Sequence, residues 1–132
     1  MIALSVMGAA MRFIWIGLLF GLATMALAGL AQAAEYGALA VGISGNEIGT
    51  GAGLNFPTQD AADATALRQC EKLTNNCRVV GQFSGGGCGY ITVAIANGTC
   101  WGSGATAAKA TTSCQSHGCG PCKPPIGGCV KP

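Results

Sequence analysis

The sequence predicts a small α+β domain, a duplicated strand-strand-helix-strand unit with antiparallel strands and two short helices, held together by disulfides. Three observations predict it. All eight cysteines, Cys70, Cys77, Cys88, Cys100, Cys114, Cys119, Cys122 and Cys129, lie in the second half of the 132 residues. Alternating apolar segments occur twice, with the two-residue period of a half-buried strand. After each comes a run of small residues that ends on a cysteine.

The first unit spans residues 36–83. In Gly37 to Ile43, Leu39, Val41 and Ile43 share one face of a strand. Gly45-Asn46 turns the chain into a glycine-rich second strand, Ile48 to Phe56. Pro57-Thr58 then supplies a rigid approach and an N-cap, and Asp60 and Asp63 sit near the positive end of the helix that follows. At helical spacing Ala62, Ala66, Cys70 and Leu73 fall on one face, and Cys77 to Phe83 reads as the closing strand.

The second unit, residues 88–129, repeats the order. Tyr90 to Ala96 is the alternating strand, with Ile91, Val93 and Ile95 on one face. Asn97-Gly98 is a strong hairpin signal because both residues accept the positive φ of a type I′ turn, and Thr99 to Gly102 returns as the second strand. Ala105 to Cys114 aligns without gaps on Ala61 to Cys70. Pro124-Pro125 and Gly127-Gly128 take the place of the last strand, and prolines ladder poorly.

Residues 1–33 have the pattern of a secretory signal peptide. Arg12 is the single charge before an apolar run from Phe13 to Leu30, and Ala31-Gln32-Ala33 offers small residues for cleavage after Ala33. The competing reading is an uncleaved anchor, since roughly 18 to 20 apolar residues span a bilayer. The glycines and alanines, the Ala-x-Ala site and the lack of a basic cluster after it favour cleavage. Met1, Met7 and Met11 are all candidate starts, and none alters the domain that follows at 34–132. The expected location is secreted or periplasmic, in a bacterial cell plan, with no membrane span once the signal is removed.

An even cysteine number in a short exported chain implies a disulfide framework. With 22 glycines and few large apolar residues, the core alone offsets chain entropy poorly. Cys70 with Cys77 is the first choice, locking a helix end onto the next strand. By the repeat, Cys114 pairs with Cys119 or Cys122, Cys88 with Cys129, and Cys100 with whichever of Cys122 and Cys119 is left.

Without the signal, Arg68, Lys72, Arg78, Lys109, Lys123 and Lys131 face Glu35, Glu47, Asp60, Asp63 and Glu71. This near balance has no basic stripe for a phosphate backbone, so no nucleic acid partner is expected. Cys119-Gly-Pro-Cys122 matches a thioredoxin-type redox motif, but that chemistry needs a cysteine at a helix N-terminus, and Pro124-Pro125 disfavour a helix there. Cys114, His117, Cys119 and Cys122 resemble a zinc knuckle, against which export to an oxidising compartment argues. His117 is the single histidine, and no nucleophile is tied to it by spacing. Gly49-Thr-Gly-Ala-Gly53 and Ser84-Gly-Gly-Gly87 lack the Lys-Ser/Thr of a phosphate loop. No catalytic residue, cofactor or metal is therefore expected.

The ordered combination of Tyr36-Gly-Ala-Leu-Ala-Val, Ala61 to Cys70, Cys77-Arg-Val-Val, Cys88-Gly89 and Trp101-Gly102 before a second alanine-rich helix resembles the domain of unknown function 4189 family, over residues 36 to about 115. The resemblance implies an exported, disulfide-bonded α+β domain with no generally assigned activity. The family's second copy ends in another Cys-x-Val-like strand, and the tail from Cys119 to Pro132 departs from that. The leading expectation is a non-enzymatic binding or interaction domain for an unidentified protein, envelope or host partner. Tyr36, Phe83, Tyr90 and Trp101 are its first candidate anchors. The alternative is a thiol-disulfide oxidoreductase using Cys119 and Cys122.

Overall fold

The computed structural model describes residues 33–96 and 99–132. The signal segment up to Gln32 and the Asn97-Gly98 turn lie outside the described residues. The order of elements is β1 (Tyr36–Ser44), β2 (Glu47–Phe56), α1 (Gln59–Glu71), β3 (Cys77–Ser84), β4 (Cys88–Val93), β5 (Trp101–Gly104), α2 (Ala107–Gln115) and β6 (Ile126–Cys129). Two three-stranded antiparallel sheets form, ordered β2-β1-β3 and β5-β4-β6. In each half the first strand is central, its hairpin partner lies on one side and the strand after the helix lies on the other.

Both faces of β1 are buried, and they differ in kind. Ala38 and Ala40 pack with Ala62, Ala66 and Cys70 of α1. Leu39 and Val41 pack with Ile91 of β4, flanked by Ile48, Ala52, Val80, Phe83 and Trp101. The layers therefore run α1, first sheet, second sheet, α2. Small side chains suit the helix face because the helix comes very close: a Cβ at Gly51 would collide with the Ala66 carbonyl and lie 2.7 Å from Cys70 N. A Cβ at Gly53 would collide with the Ala62 carbonyl, and one at Gly102 would meet Cys114 N and, at 2.6 Å, the Ala110 carbonyl. The glycine-rich second strands are thus helix seats. Phe83 fills the space between the sheets against Gly37 and Gly89.

Helix starts follow the capping rule. Thr58 and Thr106 are extended N-caps whose hydroxyls accept from Ala61 N at 3.2 Å and Lys109 N at 3.1 Å. Cys70 and Cys114 each stand one residue before the end of their helix, at matched positions in the ungapped alignment. The expected start of the second helix at Ala105 is corrected, because α2 begins at Ala107, opposite Asp63 in that alignment. Ser103 is held in β5, so the cap falls to Thr106 and α2 is one turn shorter than α1.

Three further expectations are corrected. The second half's first strand covers Cys88–Val93 and not Tyr90 to Ala96; Ala94 N bonds to the Cys100 carbonyl at 3.0 Å and the ladder closes on Val93 opposite Trp101. Its partner is accordingly Trp101–Gly104, and Ile95 is left 60% exposed. Leu73 lies beyond the last turn of α1 and is 63% exposed, off the face formed by Ala62, Ala66 and Cys70.

The third concerns the final strand, which is present. Ala94 bridges Cys122, Lys123 N donates to the Val93 carbonyl at 2.8 Å, and Ile126–Cys129 pairs with Cys88–Ile91. Ile126 stands four positions after Cys122, as Gly81 stands four after Cys77. Gly81 pairs with Leu39, and Ile126 with the corresponding Ile91. Pro124-Pro125 occupy the place where β3 carries its register shift, between the partners of Leu39 and Ala40. The prolines interrupt the ladder at a step that is irregular in either half, and an edge strand tolerates them.

Candidate functional site

Among the described residues every cysteine is bonded. Cys70 is joined to Cys77, Cys88 to Cys129, Cys100 to Cys119 and Cys114 to Cys122, with Cα separations of 6.1, 3.9, 6.0 and 6.4 Å. Cys88 and Cys129 are directly opposed in the β4-β6 ladder. Of the choices the sequence left open, the structure takes Cys122 for Cys114 and Cys119 for Cys100.

Cys70–Cys77 and Cys114–Cys122 are the same device built twice. In the first sheet Gly42 is flanked by Gly49 and Cys77, and α1 ends just after Cys70, whose Sγ lies 3.5 Å from the Gly49 carbonyl. In the second sheet Ala94 is flanked by Cys100 and Cys122, and α2 ends near Cys114. Cys100 stands where the first half has Gly49. The Cys100–Cys119 bond has no counterpart in the first half.

The two cysteines of the Cys-Gly-Pro-Cys stretch are thus bonded to different partners, against the pairing that a redox reading of Cys119 and Cys122 requires. Nor do they open a helix: Gly118 and Gly120 have φ of 75° and 81°, and residues 119–125 form no regular element apart from the Cys122 bridge. Cys114, Cys119 and Cys122 carry disulfide sulfurs, which are not the thiolates a zinc knuckle uses. His117 is exposed in the turn that follows α2.

Of the expected anchors, Phe83 and Trp101 pack into the layer between the sheets, and Tyr36 packs against the Ala38–Ala62 cluster. Tyr90 is half-buried. None is a free surface ring.

One concave surface lies along Val79, Val80, Gly81 and Gln82 of β3, with a volume of about 320 Å³; another, richer in polar side chains, lies at the start of α1. A hollow of about 260 Å³ is lined by Tyr36, Pro57, Thr58, Gln59 and Asp60. Gln59 Nε2 donates to the Gly37 carbonyl at 3.0 Å and to Asp63 Oδ1 at 2.9 Å, and Gln82 Nε2 donates to Asp63 Oδ2 at 2.7 Å. Asp63 therefore ties α1 to β3, while Asp60 stays exposed in the first turn. The two carboxylates do not act as a pair. Gln59 and Gln82 were not anticipated, although Gln59 and Asp63 stand at the i, i+4 spacing that lets side chains meet on a helix. The hollow belongs to the helical turn that α2 lacks.

These features define a small α+β domain cross-linked by disulfides in which two like-ordered sheets are each capped by a helix. The chain belongs to the family described as a domain of unknown function, DUF4189, whose model matches residues 36–128. The match runs into β6, beyond the limit near residue 115 that the sequence suggested. No curated protein and no solved structure matches the chain.

Proposed function

We propose that this is an exported, non-enzymatic binding domain whose contact surface is the α1 start of the first half. One observation carries the reading. The two halves use the same strand order, glycine seats, threonine caps and helix-end disulfide, so a feature of one half alone is not needed to build the frame. The added turn of α1 brings Gln59 and Asp60 to a hollow beside Tyr36, with Gln59 held by Asp63, and exposed polar groups on a rigid scaffold are suited to recognition. Export is supported by the apolar leader with its Ala31-Gln32-Ala33 site and by the four disulfides. Among the described residues no helix is long and apolar enough to cross a membrane.

The partner is a macromolecule of the envelope, the medium or a host. The test is affinity capture from envelope and culture fractions with the wild type and the exposed-site variant Asp60→Arg, compared with Lys72→Glu at the far end of the helix. The reading expects a partner that the wild type and Lys72→Glu retain and Asp60→Arg loses. Equal capture by all three, or capture of nothing specific, overturns it.

A further inference from the structure

Four cysteines gather at the end of α2. Cys114 lies on the glycine seat: a Cβ at Gly102 would be 2.7 Å from Cys114 Cα. Cys100 is two residues back along the chain from Gly102, so its side chain leaves the same face of the sheet, toward α2. The first half shows where a sulfur at the helix end points, because Cys70 Sγ reaches the carbonyl of Gly49, the counterpart of Cys100. Cys122 flanks Ala94 on the other side. The loop after α2 closes the group: Cys100 Sγ is 3.8 Å from the His117 carbonyl and Cys122 Sγ is 3.9 Å from the Gly120 carbonyl. Cys119, between those carbonyls in sequence, completes it.

We propose that this cluster is a disulfide switch with two pairings, the observed Cys100–Cys119 with Cys114–Cys122, and a second one of Cys100–Cys114 with Cys119–Cys122. The second pairing joins the helix end to the residue it overlies and closes the Cys-Gly-Pro-Cys stretch on itself. The interchange leaves the oxidation level unchanged and needs a thiolate as catalyst, from a small thiol or a dithiol protein. That thiolate attacks Cys119 Sγ, forming a mixed disulfide and releasing the Cys100 thiolate. Cys100 attacks Cys114 Sγ, forming Cys100–Cys114 and releasing the Cys122 thiolate. Cys122 attacks Cys119 Sγ, forming Cys119–Cys122 and returning the catalyst as its thiolate. Four protein cysteines remain bonded throughout, apart from the transient mixed species.

The attack begins at Cys119 because it is the part-exposed end of its bond, while Cys100 is 9% exposed. Gly118 and Gly120 already hold positive φ, so the loop contains two residues that re-form a turn without a Cβ penalty. In the second pairing the 115–121 loop has lost its tie to Cys100 before β5, and Cys122 its tie to α2. The surface at the end of α2 is the part remodelled.

The experiment holds the full oxidised protein with catalytic reduced glutathione at about pH 8, where the attacking thiol is near its pKa, quenches with acid and maps disulfides by non-reducing peptide mass spectrometry. The expected result is a Cys119–Cys122 peptide together with a Cys100–Cys114 peptide, at about 1–10% of molecules as befits a minor state, with no rise in free thiol. Retention of the four native pairings alone overturns the proposal. So does simple loss of Cys100–Cys119 with both thiols alkylated, or exchange that starts at Cys88–Cys129. A second readout uses Cys100→Ser, where two bonding states are expected, one with Cys119 free and one with Cys114 free. Alkylation of Cys119 alone in that variant overturns it equally.

Discussion

The two halves of this domain solve one problem with different means. The first half has a thirteen-residue helix over a ten-residue seat strand and an uninterrupted third strand of eight residues. The second has a nine-residue helix, a four-residue seat and a third strand broken by Pro124-Pro125. It has three disulfides where the first has one. Regular structure and cross-linking trade against each other. Where ladder and helix are long, a single bond at the helix end suffices; where they are short, covalent bonds limit the unfolded chain instead.

Substitutions in the two halves test this trade. The largest effect is expected from Cys88→Ser with Cys129→Ser, since their loop of 41 residues is worth about 4 kcal/mol in the chain-entropy model. Chemical denaturation of the double variant measures it. A loss no larger than that from removing Cys70–Cys77, whose short loop is worth about 2.5 kcal/mol, ends the claim that the second half depends more on its bonds. Next come the helix seats. Gly51→Ala and Gly102→Ala each push a Cβ into helix backbone, and each is expected to cost about 2 to 3 kcal/mol by overpacking. Thermal melts that leave either variant at wild-type stability contradict the equivalence of the two seats. Smallest are the caps: Thr58→Ala and Thr106→Ala are each expected to cost about 1 kcal/mol. Helical circular dichroism is expected to fall by a larger share for Thr106→Ala, because α2 has fewer turns to retain.

The frame was legible where the signal is local. Alternation located β1, a capping threonine located the start of α1, and the cysteines at the helix ends located Cys70–Cys77 and narrowed the partner of Cys114 to Cys119 or Cys122. Legibility failed where the outcome depends on a neighbour that sequence does not display. Leu73 fits the buried stripe by periodicity, but the helix stops at Glu71, and beyond it the side chain is left 63% exposed. Ile95 alternates correctly, yet the pairing strand begins only at Trp101. The final strand was hidden by its prolines, because the sequence does not say that the interruption coincides with a step already irregular in β3. The hollow at Tyr36 and Gln59 was missed for a related reason: Gln82 arrives from a strand nineteen residues from Asp63.

The central position of β1 and β4 has a consequence for how the chain closes as it emerges from its N-terminal side. Each central strand needs a later strand to satisfy its second edge. For β1 every partner, including β3 and the Cys70–Cys77 bond, lies within residues 36–84. Both ladders of β1 are therefore complete before Cys88 appears. For β4 the second edge waits for Ile126–Cys129, whereas Leu39, Val41 and Phe83 are covered as soon as Gly89, Ile91 and Trp101 arrive. In chain order, the partners of the first sheet's central strand are all present before the strand that closes the second sheet.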